Sequence, residues 1–283
     1  MLYVLISVVC SVTVSVIIKY ARKDGVNHLH LIVWNYPVAT LATILFLKPP
    51  MTGSSVLQLP WTIYLGLAVL LPSIFLCIAY AIQYSGIVRT EVAQRLSLFI
   101  PLLAAYFLFG EQISKSKFVG IAIGVLAILL SIGWQKKSGT SGKWRYAAAV
   151  FVGMGVIDIL FKKMALYQGV PYAFSMLMVF VLSMISAFAF LFYRMMKRKE
   201  RMEFRSVLWG LLLGLFNFGN ILFYMKAHRA LSESPSVVFT GMNVGVILLG
   251  ALVGIGVFGE KLTWWNKIGL LLAVISVLII AFL

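Results

Sequence analysis

Phe109-Gly110-Glu111-Gln112-Ile113-Ser114 returns as Phe258-Gly259-Glu260-Lys261-Leu262-Thr263, and each copy closes one very apolar segment and opens another. Each Glu is followed nine residues later by a glycine, Gly120 or Gly269, and then by a further apolar run. Working back toward the N-terminus, Lys19, Ala21, Gly25 and Val26 pair with Lys163, Ala165, Gly169 and Val170 at an offset of 144. Gly66-Leu67 and Tyr80 pair likewise with Gly210-Leu211 and Tyr224, whereas the later part runs at an offset of 149. The chain is therefore an internal duplication, with repeats too long for solenoid units and of a size found in membrane proteins built from two related bundles.

The solvent for most of these residues is lipid. The 283-residue chain is 62% hydrophobic and 11% charged, against about 45–50% apolar and about 25% charged in soluble domains. Apolar stretches recur at 2–20, 29–47, 61–84, 88–109, 114–133, 144–164, 171–193, 206–228, 232–257 and 263–283. Each can cross the roughly 30 Å hydrocarbon core as a helix. The expected fold is thus an all-α membrane protein of ten transmembrane helices, five in residues 1–137 and five in 143–283. No Lys or Arg precedes the first apolar run and no small-residue cleavage site closes it, so residues 1–20 read as a retained helix rather than a signal peptide. Lys and Arg counted over alternate connections, with Arg95 left out as lying inside a span, divide sixteen to seven. The richer set includes Lys19, Arg22, Lys23 and the run from Arg194 to Arg205, which places those ends in the cytoplasm and both termini outside. An odd number of helices per repeat then forces the second copy to enter from the opposite face, so the repeats are inverted, the arrangement that supplies two similar gates for alternating access.

The net charge of +16 does not indicate nucleic-acid binding, because the basic residues sit at helix ends and no extramembrane segment is long enough for a binding domain. Contact of Arg194–Arg205 with anionic headgroups is the expected consequence. Cys10 and Cys77 lie inside apolar spans, and His28, His30 and His228 lack neighbouring carboxylates or cysteines. No disulfide framework, metal site or cofactor is expected.

With Gly-Glu at the ends of the fourth and ninth helices and Gly in the fifth and tenth, the chain resembles the EamA type of the drug/metabolite transporter superfamily over nearly its whole length. Lys226-Ala227-His228-Arg229-Ala230-Leu231-Ser232-Glu233-Ser234 looks like that family's entry into the ninth helix, while Arg95-Leu96-Ser97-Leu98 and Pro101 loosely echo its Ser-Pro step in the fourth. The resemblance implies a central cavity lined by helices one, three, four, six, eight and nine. Ten-helix members are commonly described with cytoplasmic termini, the reverse of the orientation that the charges favour here.

Polar residues inside the spans are the candidate site. Asn217 and Asn220 share one face of the eighth span, as substrate contacts or as interhelical hydrogen bonds. Asn243 pairs with Gln94 at the offset of 149, putting a side-chain amide at the same place in both repeats, as a shared central site or as a symmetric polar contact across the repeat interface. Glu91 and Arg95 lie one turn apart and break the repeat symmetry, since their counterparts are Thr240 and Val244. Glu91 is a candidate proton-coupling carboxylate and Arg95 a candidate anion anchor; alternatively the pair snorkels. Asp158, whose counterpart is Val14, repeats that spacing with Lys162 and is the second proton-coupling candidate. Asn35, in Trp34-Asn35-Tyr36-Pro37, and Tyr80 are candidate cavity walls, the latter equally a membrane-interface anchor. Pro37, Pro72 and Pro101 are expected to kink their helices and free carbonyls. Lys19 and Lys163 are read as snorkelling cations, and Glu111 and Glu260 as turn-forming or capping residues.

The paired glycines Gly120/Gly124, Gly210/Gly214, Gly241/Gly245 and Gly250/Gly254 mark close helix contacts, within a monomer or across a homodimer. With no Walker sequence and no gathered catalytic groups, the expectation is a non-enzymatic secondary transporter that moves a small polar or amphipathic metabolite across the cell inner membrane by alternating access, either proton-coupled or exchanging. Its partners would be that substrate and membrane lipids. The alternatives are a lipid-linked substrate flippase and, more remotely, a membrane receptor or scaffold.

Overall fold

The computed structural model describes residues 2–50, 59–100, 103–104, 115–132, 144–167, 169–198, 204–230 and 235–282, and every regular element among them is helical. Helix α1 (Leu2–Lys23) stops where Gly25 takes φ +80° and Val26 N–H reaches back to the Ala21 carbonyl, the left-handed closure that favours glycine. Asn27 accepts from Leu29 N–H to start α2 (His28–Val33), which turns at Trp34 into α3 (Asn35–Ala42) and a terminal π turn, Thr43–Leu47. Because the second crossing breaks at Trp34, Pro37 falls in the first turn of α3, where a missing N–H is tolerated. Asn35 stands at the break.

Helix α4 (Trp61–Ser85) carries Pro72 internally. Its ring removes the N–H that would bond the Ala68 carbonyl, and Ser186 from another helix donates to that oxygen at 2.5 Å. A single residue, Gly86 at φ +87°, links α4 to α5 (Ile87–Leu96). The chain then continues through α6 (Lys115–Ile132), α7 (Trp144–Leu166), α8 (Tyr172–Arg198), α9 (Phe204–Ala230), α10 (Pro235–Gly256) and α11 (Trp264–Phe282). Pro101 and the whole of the first Phe-Gly-Glu copy, Glu111 included, lie outside the described residues.

Counting α2 and α3 as one crossing, the helices give the ten-helix arrangement that the apolar pattern predicts. Among the described residues six helical stretches are long and apolar enough to cross a membrane, as expected of an integral multi-pass protein. Packing follows the duplication. Helix α1 lies against α9 and α10, and its counterpart α7 lies against α4 and α5. Helix α4 packs on α8 as α9 packs on α2 and α3, while α6 with α11 and α5 with α10 pair counterpart to counterpart.

The glycine pairs make this packing close, and all four face helices of the same chain. Gly120 meets α11, Gly124 meets Phe99 just after α5 as well as Ser276 of α11, Gly210 and Gly214 meet the second crossing from Leu31 to Val38, Gly241 and Gly245 meet Val4 and Val8 of α1, and Gly250 and Gly254 meet α5. In lipid, where apolar burial does not drive helix association, this close approach and interhelical hydrogen bonds hold the bundle. A Cβ on Gly214 would stand 2.9 Å from the Asn35 carbonyl and 2.7 Å from Val38 Cβ, whereas one on Gly256 would meet nothing. Gly214→Ala should therefore lower unfolding free energy in mixed micelles by about 1–3 kcal/mol, as overpacking does, with Gly256→Ala near neutral. Equal unfolding midpoints for the two variants would contradict this account of the α3–α9 contact.

Candidate functional site

Between the two halves lies a cavity of about 600 Å³. Its polar lining is Asn35, Gln94, Arg95, Ser97, Asp158, Asn217, Asn220 and Asn243, and its walls include Tyr36, Phe75, Phe161, Tyr172, Phe180 and Tyr224. Seven of the candidate residues read from the sequence thus meet in one place: Asn35, Gln94, Arg95, Asp158, Asn217, Asn220 and Asn243. They come from five different crossings. Asn217 Nδ2 donates to Asn35 Oδ1 at 3.0 Å, joining α9 to the break in the second crossing. Asp158 lies on α7 within electrostatic reach of Arg95, and Tyr224 interacts with both charges. The side chain of Lys162, the expected partner of Asp158, lies outside those described.

Two candidates are placed elsewhere. Glu91 is 2% exposed and sits behind the lining. Tyr80 belongs to an aromatic cluster with Tyr84, Tyr146 and His28, with ring centroids 5.1–6.2 Å apart in the pairs that touch. The set of lining helices also differs from the one the resemblance implies. The second crossing and α8 contribute through Asn35, Tyr36, Tyr172, Met176 and Phe180, and α1 contributes no lining side chain.

Helix α1 acts from behind. Ser7, Ser11 and Ser15, spaced four apart and all buried, rise along one helical face, and each holds a polar residue of the site region. Ser7 Oγ lies 2.8 Å from Asn220 Oδ1 and 2.9 Å from the Asn220 carbonyl. Arg95 Nη2 donates to Ser11 Oγ at 2.6 Å, and Ser15 Oγ donates to Glu91 Oε1 at 2.5 Å. Arg95 Nε stands 3.8 Å from Glu91 Oε2, an ion pair rather than a hydrogen bond at that distance. A guanidinium and a carboxylate taken out of water must be compensated by opposite charge and by hydrogen bonds. The serine ladder supplies one hydrogen bond to each charged group, while Glu91 Oε2 and Arg95 Nε have no hydrogen-bond partner among the described residues. Sequence reading passed over these serines because single hydroxyls in an apolar helix are common; their four-residue spacing was the available signal.

Chemically, the arrangement offers one guanidinium, one carboxylate and five side-chain amides against an aromatic and aliphatic wall. That combination suits a compact amphipathic solute with an anionic group, since Arg presents a planar fork of donors to carboxylate or phosphate.

The EamA-like transporter family model matches residues 1–133 and 144–282. A protein of Haemophilus influenzae described as uncharacterized is 36% identical over 290 residues, covering 98% of this chain and 96% of that one. A solved crystal structure shares 14% identity at a TM-score of 0.61, covering 99% of this chain and 98% of that chain, which is a likeness of fold.

The ladder predicts a measurable coupling. Ser15→Ala leaves a buried carboxylate short of a donor, a loss of about 1–3 kcal/mol, and the same change made in a Glu91→Gln background should cost less. A double-mutant cycle read by unfolding in mixed micelles should give a coupling of about 0.5 kcal/mol or more, and strictly additive effects would show that Ser15 does not support Glu91.

Proposed function

We propose that this chain, which belongs to the EamA-like transporter family, is a secondary transporter that moves a small amphipathic metabolite through the cavity by alternating access. The observation that carries the reading is the cavity itself. It is shared by both halves, and it gathers the charged and amide side chains of separate crossings around a volume of about 600 Å³. Residues 1–137 and 143–283 are the two bundles that would rock about it, in the cell inner membrane with both termini outside. Arg95 anchors the anionic group of the substrate, and Asn217, Asn220, Asn243, Asn35 and Gln94 orient its polar remainder. The aromatic wall takes the apolar part.

Of the two acids read as proton-coupling residues, Asp158 faces the cavity, where substrate and proton can compete for it. Glu91 is closed off against Ser15 and Arg95 and sets the charge and orientation of Arg95. If the carrier is proton-coupled, transport in proteoliposomes should lose its pH dependence in Asp158→Asn and keep it in Glu91→Gln. The opposite pattern would transfer the coupling role to Glu91.

Substrate and cavity are tested together by thermal stability. Purified protein is screened against carboxylate- and phosphate-bearing metabolites, and a true ligand at a hundredfold excess over its Kd stabilises by about 2.7 kcal/mol. The metabolite should raise the melting temperature of the wild type and do so much less in Asn217→Ala. A ligand that stabilises both proteins equally would place binding outside this cavity.

A further inference from the structure

We propose that the second Phe-Gly-Glu copy is a latch that keeps the cavity shut on the membrane face where α1 ends, and that Glu260 is its bolt. Its role in transport rests on the alternating-access reading above, but its closure stands on separate geometry. The Glu260 carboxylate reaches two other crossings at once. Oε1 accepts from Lys19 Nζ at 2.5 Å and from Ile87 N–H at 2.7 Å, and Oε2 accepts from Val88 N–H at 3.2 Å. Ile87 and Val88 open α5, whose N-cap position is Gly86 and so has no side chain to offer. The first N–H groups of a helix need acceptors and favour negative charge. Glu260 is therefore the cap of α5, supplied from the far end of the sequence, while α11 has its own cap, with Asn266 N–H donating to Thr263 Oγ1.

The other residues of the motif fit the same task. Gly259, at φ +61°, completes the turn after α10, and Glu260 N–H bonds the Gly254 carbonyl, which directs the side chain back toward α5. Phe258 packs on Tyr20 at 5.2 Å between centroids and carries Lys19 Nζ 4.4 Å above its ring. The ion pair is mostly shielded, with Lys19 and Glu260 side chains 21% and 12% exposed, so Lys19 is held inward rather than snorkelling outward. Gly86 leaves the necessary space, since a Cβ there would come within 2.6 Å of Glu260 Oε2.

A second layer lies beneath this face. Tyr80 and Tyr84 of α4, Tyr146 of α7 and His28 of α2 touch ring to ring. The cavity lining on α4 ends at Ile78, and on α7 it begins at Met154, so the rings stand between the cavity and the face where α1 ends. In the other direction the lining runs out to Tyr172, the first residue of α8, which is 39% exposed. The geometry is that of a carrier closed at one end, with α5 joining latch to site: its first residues hold Glu260, and one and two turns later it carries Glu91 and Arg95.

Thiol accessibility tests the latch without any substrate. In a background with Cys10→Ala and Cys77→Ala, Ile78→Cys is labelled with a membrane-impermeant maleimide from each side of oriented vesicles. With the latch intact, labelling should be slow from the face where α1 ends. Glu260→Ala should speed it about tenfold from that face only, the shift expected when one state loses charge-assisted contacts that the other lacks. Lys19→Met, which spares the cap, should move the rate in the same direction and provides the measurement where Glu260→Ala does not fold. Fast labelling from that face with the latch intact, or an unchanged rate in the folded variants, would overturn the proposal. A fruitless ligand screen would bear on the proposed function and leave this result standing.

Discussion

A guanidinium and a carboxylate on one turn of a helix inside a bilayer cannot be left to themselves. Each costs several kcal/mol to remove from water unless paired and hydrogen-bonded, and the surroundings of α5 meet part of that demand, leaving Glu91 Oε2 and Arg95 Nε to face each other without a hydrogen bond. Glu91 accepts a hydrogen bond from the Ser15 hydroxyl, Arg95 donates one to Ser11 Oγ, and the two charges face each other at 3.8 Å. Both hydroxyls stand on α1, which packs on α9 and α10 and so turns its serine face toward α5. The same face continues to Ser7 and Asn220, which draws in α9.

The duplication and this ion pair pull in different directions. Packing partners exchange faithfully between the halves, with α1 on α9 and α10 answered by α7 on α4 and α5. Yet the chemistry is lopsided: Ser7, Ser11 and Ser15 occur only in the first copy, with Phe151, Gly155 and Ile159 at the equivalent places. Asp158 answers Val14 in the same way. A scaffold with interchangeable halves is suited to two alternating gates, and an asymmetric interior allows one cavity to present a cation on one wall and an acid on another. Glycine reconciles the two. By letting α9 approach α3, and α10 approach α1 and α5, the paired glycines bring amides and charges from separate crossings within reach of one solute.

Much of this was legible in the residue order. Apolar runs of spanning length, the repeated Phe-Gly-Glu and the bias of Lys and Arg depend on local composition and on the thickness of a bilayer, so ten helices and their pairing into repeats need no coordinates. Polar residues in lipid are conspicuous for the same reason, and seven of the nine candidates line the cavity. Two do not, Tyr80 and Glu91, because spacing along a helix says which residues share a face but not which neighbour that face meets.

Thus the sequence alone determined the class of fold, the duplication and the inventory of polar groups, all of which follow from helical periodicity and the cost of placing charge in hydrocarbon. Tertiary structure decided the partners. It turned α1 so that its serines back the site without lining it, brought the second crossing and α8 into the wall, and set every glycine pair inside the monomer. It also carried Glu260 to the start of α5, some 170 residues away in the chain. Those outcomes depend on the close approach of distant segments, where a hydrogen bond of fixed length is made or lost by a shift of less than one helical turn.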